Sequence, residues 1–252
     1  MTRPSQNRYA PARLEVLNVF PTPFARGILD IDLDQVVEDC RNLVAEVHER
    51  CPDNNGQNYT TYFDQDLREI MHEYEWFKEF SDRIKDTYID FISRTFESRI
   101  EHLSRSDIHL FSWVNRYEGH HHHEIHNHVD SFISGTWYIK AAKTSPIKFL
   151  SPNLMATFSH KTEDRMIKRE GFPNIEFNGV NGVDQEFCLF PLDGEFLMWP
   201  SYMQHTVPAN YEPVDDKYER ISLSFNLKHK EIITDNETGH DMSYGELNES
   251  KR

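Results

Sequence analysis

The sequence predicts an α+β fold, an antiparallel β-barrel with helices packed on one face. Three observations carry that reading. Long amphipathic segments come first in the chain, and short segments rich in β-branched and aromatic residues follow from Ile108 onward. The composition, 38% hydrophobic and 13% aromatic with 17 Phe and 11 Tyr, is ample for a packed core.

Taken in order, residues 1 to 13 are polar, contain proline and are expected to fray. Val16 to Phe20, closed by Pro21 and Pro23, reads as a short strand. Asp34 can cap a helix over 34–51 whose apolar face is Val36, Val37, Cys40, Leu43, Val44 and Val47. Residues 52–62 read as a polar loop. A longer helix is predicted over 75–103, because Phe77, Phe80, Ile84, Tyr88, Phe91, Ile92, Phe96, Ile100 and Leu103 recur at three- and four-residue spacing. Such a stripe is expected to cover a sheet. Strands are expected at 108–117, 133–142, 147–150, 186–190, 195–199 and 220–227. Residues 153–185 read as one long polar loop, of a length that usually signals a lid or another functional segment. The chain, 1–252, is expected to form a single domain: a helical support region at 14–104, the barrel core at 105–230 and a flexible tail at 231–252.

Charge narrows the function classes. Lys and Arg number 27 against 42 Asp and Glu, a formal charge of −15. Nucleic acid and anionic membranes are therefore poor partners, since phosphate contacts need a basic surface. Three cysteines without a CxxC pair, Cys40, Cys51 and Cys188, fit free thiols in a reducing compartment. The N-terminus lacks the apolar core of a signal peptide and no stretch approaches 18 apolar residues, so a soluble, cytoplasmic protein is expected. A homodimer is compatible with all of this, and the oligomeric state stays open.

The chemistry-bearing residues fall into three groups. His126-Asn127-His128-Val129-Asp130 offers two ligand registers, because on a strand residues i and i+2 point to the same side. His128 with Asp130 gives a mixed nitrogen–oxygen pair, and His126 with His128 an all-nitrogen pair. The first is preferred because a carboxylate is the usual third ligand of non-haem Fe(II), while His126 stays open as the alternative. His205 follows the strand-turn unit Gly194 to Pro200 and is the expected distant ligand. Arg220-Ile-Ser-Leu-Ser-Phe-Asn226 alternates polar and apolar residues, which puts Arg220, Ser222, Ser224 and Asn226 on one face. A guanidinium turned into a barrel is costly unless paired, and a dicarboxylate would pair it. His120 to His123 are read as an exposed loop or strand edge, with an accessory metal role as the other option.

These motifs together resemble a known family, the 2-oxoglutarate–Fe(II) oxygenases of bacteria and tailed phages. The resemblance rests on Trp113-Val-Asn115-Arg-Tyr117-Glu-Gly119, His126-Asn-His128, Ser134-Gly135-Thr-Trp137-Tyr138, Pro200-Ser201 through His205, and Arg220 through Asn226. It covers about residues 108–227 and leaves the helical N-terminal part unplaced. It implies a double-stranded β-helix (a jelly-roll, cupin-like barrel), with Fe(II) and 2-oxoglutarate as cofactors. The implied reaction hydroxylates a C–H bond of a small-molecule or protein substrate and decarboxylates 2-oxoglutarate to succinate. Asn115, Ser134 and Tyr138 are then expected to line the cosubstrate pocket with Arg220 and Ser222, and Trp113, Trp199 and Tyr202 to keep it dry. Two alternatives remain. A cupin-type metalloenzyme lacks its expected glutamate here, where Phe132 and Ile133 stand, and gives Arg220 no role. A non-catalytic barrel would more often have lost a ligand or the arginine.

Overall fold

The computed structural model describes residues 22–50, 58–96, 103–119, 121–141, 146–152, 167–168, 175–180, 183–209 and 218–229. The element order is β1 (Ala25–Ile28), α1 (Leu33–Arg50), β2 (Tyr59–Thr60), α2 (Gln65–Met71) and α3 (Glu75–Phe96). Ten strands then follow: β3 (Ile108–Glu118), β4 (His123–His126), β5 (Ile133–Lys140), β6 (Ile147–Leu150), β7 (Ile167–Lys168), β8 (Ile175–Val180), β9 (Val183–Leu189), β10 (Glu195–Pro200), β11 (His205–Val207) and β12 (Glu219–His229). The strands form two antiparallel sheets, ordered β1-β10-β5-β12-β3-β2 and β4-β11-β6-β9-β8-β7. This is the double-stranded β-helix, with the helices on one face of the first sheet.

Strand periodicity explains the layering. On β12, Ile221, Leu223, Phe225 and Leu227 join Val36, Phe80, Ile84 and Tyr88 in a core between sheet and helices. The opposite face of the same sheet contributes Tyr138, Leu197 and Trp199 to a smaller core shared with Ile147, Phe149 and Leu189 of the second sheet. Phe80 stacks on Trp137 at a centroid distance of 5.3 Å, so the stripe of α3 covers the sheet as its spacing predicts. Gly135 is required where β5 passes under Phe225. A Cβ there would lie 2.3 Å from that ring and 2.5 Å from the Leu197 carbonyl oxygen.

Several expectations need correction. The 153–185 segment is not one long loop: β7, β8 and the start of β9 lie within it, with β8 and β9 paired from Ile175↔Leu189 to Val180↔Val183. Helix α2 went unread because it is only seven residues long, too short to show a period; the Asp64 carboxylate caps it, accepting from the Leu67 amide at 3.0 Å. Strands β1, β2, β4 and β11 are two to four residues long and carry no alternation that a sequence could display. The expected strand at Val16 to Phe20, the tail at 231–252, Cys51 and His120 lie outside the described residues. Among the described residues, no helix is long and apolar enough to cross a membrane.

Candidate metal centre

The second sheet assembles the centre at its β4–β11 edge. His126 on β4 and His205 on β11 are direct cross-strand partners, which sets their rings 4.2 Å apart. His128 follows in the irregular segment beyond β4, where its amide donates to the Ser201 carbonyl at 2.9 Å. Its ring lies 5.2 Å from both His126 and His205. One ligand atom from each of the three imidazoles falls within 4.8 Å of the others, so together they can hold a metal ion.

Each ring has its second nitrogen engaged. Nδ1 of His126 donates to the Glu124 carbonyl at 2.8 Å, and Nδ1 of His205 to the Met203 carbonyl at 3.1 Å. A carbonyl only accepts, so the proton sits on Nδ1 and the lone pair on Nε2 faces the cluster. His128 bonds Asn226, whose Oδ1 also accepts from Ser134 Oγ at 2.8 Å. Burial, reinforced by the neighbouring imidazoles, pulls His128 down to about 4 and His205 well below its ordinary value. Burial also lowers His126. All three rings are thus neutral at neutral pH, the state a metal requires.

Asp130, the preferred third ligand at the sequence level, is not part of this cluster. β4 ends at His126, residues 127–128 are irregular and 129–130 form a turn, so the alternation that would have aligned Asp130 with His128 does not extend that far. Asp130 is exposed and stands at the mouth of the cavity instead. The open alternative, His126, occupies the place among the three rings.

That cavity, of about 250 Å³, opens on His126, His128 and His123. One wall is aromatic: Phe63 meets Tyr62 edge-on at 4.9 Å, Tyr62 meets Trp113 at 5.0 Å, and Trp113 stacks on His128 at 5.7 Å. The floor carries the amides of Asn58, Asn115 and Asn226. Asn58 Nδ2 donates to Asn115 Oδ1 at 3.0 Å, and Asn115 Nδ2 donates to Ser224 Oγ at 2.9 Å. The Asn58 contribution and the Tyr62–Phe63 lip escaped sequence reading, since Asn58 and Tyr62 sit in what looked like a polar loop.

The expected inward polar row exists. Arg220 is 1% exposed, with its guanidinium carbon 5.2 Å from the Tyr117 ring centre and 4.9 Å from that of Tyr138. Ser222 and Ser134 are buried, and Ser134 Oγ bonds Ser201 Oγ at 2.8 Å. Of the expected cosubstrate residues, only Asn115 lines the cavity; Arg220, Ser222, Tyr138 and Ser134 are enclosed behind it. Trp113 walls the cavity and Trp199 is buried edge-on to His205, whereas Tyr202 is exposed and keeps nothing dry. Of the histidine run, His121 packs against Tyr59, and His123 stacks on His126 at 4.0 Å. His123 thus sits on the edge strand β4, as expected, and beside the three-histidine cluster.

Three imidazoles gathered beside one strand edge of this barrel form a site that can hold a metal ion. Residues 111–226, a little under half of the chain, match the family model described as "Putative 2OG-Fe(II) oxygenase", which supports an oxygenase that uses Fe(II) and 2-oxoglutarate. No curated protein matches the chain. Among solved structures, a Pseudomonas putida prolyl-4-hydroxylase is 13% identical, covering 83% of this chain and 94% of its own, with a TM-score of 0.41. A prolyl 4-hydroxylase of Phytophthora capsici is 13% identical over 79% of this chain and 55% of its own, with a TM-score of 0.42. The epimerase SnoN of nogalamycin biosynthesis, solved with Fe3+, alpha ketoglutarate and nogalamycin RO, is 10% identical over 82% and 79%, with a TM-score of 0.43. Likenesses this distant say nothing about substrate.

Proposed function

We propose that the chain is a 2-oxoglutarate- and Fe(II)-dependent dioxygenase that hydroxylates a C–H bond of a small-molecule or protein substrate in the cytoplasm. His126, His128 and His205 are its metal ligands, and Arg220 with Ser222 is its anchor for the far carboxylate of 2-oxoglutarate. The observation that carries this reading is the convergence of three neutral imidazoles, their ligand atoms within 4.8 Å of one another, inside the span that matches the oxygenase family.

The donor set fits the metal. Imidazole suits iron, and the carbonyls of Glu124 and Met203 hold two of the rings in the ligating tautomer. When bound, Fe(II) and 2-oxoglutarate supply the activation of O2 toward a C–H bond. Three neutral ligands leave the ion its full double charge, where a carboxylate would cancel part of it, and so strengthen its attraction for a dicarboxylate. Arg220 offers the matching charge at a distance, as a planar fork suited to two carboxylate oxygens. Because Arg220 is enclosed, seating a carboxylate on it requires side chains between it and the cavity to move. Trp113 and Trp199 keep water from the metal-facing side of the barrel.

The test is metal and cosubstrate binding. His126→Ala and His205→Ala are expected to abolish stoichiometric Fe(II) binding, and Asp130→Ala to leave it intact. Equal effects of all three would refute the ligand assignment. Adding 2-oxoglutarate to the anaerobic Fe(II) protein should produce a visible charge-transfer band. An all-imidazole set also suits a cupin-type metalloenzyme without a cosubstrate, and bound iron that gives no band would favour that reading.

A further inference from the structure

We infer that the substrate is a polypeptide segment of neutral or basic charge, laid across the cavity mouth with one uncharged side chain inserted toward the histidines. This rests on the oxygenase reading and names the substrate class for the same site. Size is the first argument. The cavity, about 250 Å³, falls below the roughly 300 Å³ at which pockets for drug-sized ligands begin, and suits a single side chain.

The lips are the second. Phe63 and Val129 stand on the rim, each 82% exposed, where a ligand confined to the cavity would leave them in water. Of the eight exposed large apolar side chains among the described residues, three (Tyr62, Phe63 and Val129) line this mouth. A fourth, Tyr202, sits on the turn whose Ser201 carbonyl accepts from the His128 amide. Apolar surface gathered in this way around one opening marks a contact larger than the opening itself. The first lip is also held in place: Arg68 bonds the carbonyls of Thr61 and Tyr62 and lies over the Phe111 ring at 5.0 Å.

Charge and floor chemistry supply the third. Among the described residues, the lining contains no Lys or Arg, one carboxylate (Asp130) at the mouth, and a floor of asparagine amides, which offer donors and acceptors to a peptide backbone. The surrounding protein carries −15, so an acidic partner is repelled and a basic one drawn in.

The experiment uses the full-length protein loaded with Fe(II) and 2-oxoglutarate under anaerobic conditions. The probes are two fluorescein-labelled peptide mixtures on the order of 10 residues long, ~33 Å when extended. They share the same apolar and amide residues and differ only in carrying Lys and Arg or Asp and Glu at the flanks. Anisotropy should show the basic mixture binding. Phe63→Asp and Val129→Asp should each weaken that binding roughly tenfold or more, while Leu192→Asp, an exposed apolar site outside the mouth, should not. The charge-transfer band of the wild-type protein reads the parent proposal separately. No band refutes the oxygenase reading whatever the peptides do. A band with no peptide binding, with preference for the acidic mixture, or with binding indifferent to both lip variants overturns the substrate inference alone.

Discussion

Arg220 shows what one residue does when its neighbours alternate. The strand turns Ile221 and Leu223 toward the helices and Arg220 and Ser222 toward the barrel, so the guanidinium sits in a shell of two tyrosine rings. A lysine there keeps the charge but loses the planar fork. Hydrogen bonds to a charged group contribute about 1.5–3 kcal/mol each. Arg220→Lys is therefore expected to weaken 2-oxoglutarate binding at least about tenfold, as measured by titrating the Fe(II)-loaded protein, with Fe(II) affinity little changed. Arg220→Ala should do the same more severely. Unchanged cosubstrate affinity in both would mean that the carboxylate is held elsewhere. The three histidines illustrate the complementary case, in which residue type is plain from the sequence and register is not. His126 and Asp130 flank His128 symmetrically in sequence; only the end of β4 at His126 distinguishes them, and a strand end is set by hydrogen bonding to β11, far away in the chain.

At the scale of elements, long strands and helices were legible in the sequence, and of the shortest elements only the four-residue β6 was placed, at 147–150. Eleven-residue β3 and β12 and the 22-residue α3 advertise their periods, and the sequence places them within a few residues of their observed positions. Helix α3 is described over Glu75–Phe96, and the part of its expected span at 97–102 lies outside the described residues. The two-residue β2 and three-residue β11 exist because neighbouring strands offer them partners, and nothing local announces them. Yet β2 and the turn after it carry the aromatic lip, so the part of the site least visible in the sequence is the part at the cavity mouth. Helix α2 stabilises that lip from behind. Removing its cap by Asp64→Ala should cost about 1 kcal/mol, read as a lower urea midpoint with an unchanged slope. At Gly135 the expectation is harsher. Gly135→Ala places a methyl group inside the Phe225 ring and against a backbone oxygen, and should destabilise by about 1–3 kcal/mol.

Across the whole molecule, Glu219 is the tie between layers. Its carboxylate accepts from Arg41 Nη2 on α1 at 2.5 Å, from Arg116 Nε on β3 at 2.8 Å and from Lys140 Nζ on β5 at 2.6 Å. Burial opposes its ionisation, but the hydrogen bonds from Arg41 and Lys140 and the nearby positive charges prevail and hold it at about 2 instead of 4.5. A carboxylate depressed in the folded state contributes its stability above the unfolded value and loses it as pH falls through the folded one. The contribution, roughly 3 kcal/mol, is thus complete at neutral pH and vanishes between about 4.5 and 2. Denaturation of wild type and Glu219→Gln across that range should show a stability gap that closes with acid; a gap independent of pH would deny the carboxylate this role. The two faces of β12 have a consequence of another kind. Because apolar and polar side chains alternate along eleven residues paired on both sides, the strand tolerates many exchanges of residue but no change in its count. One inserted residue near its middle would present leucines to the iron side and serines to the helices downstream of the insertion, spoiling core and chemistry in a single event. Among descendants of this gene, β12 should therefore drift in spelling while keeping its length.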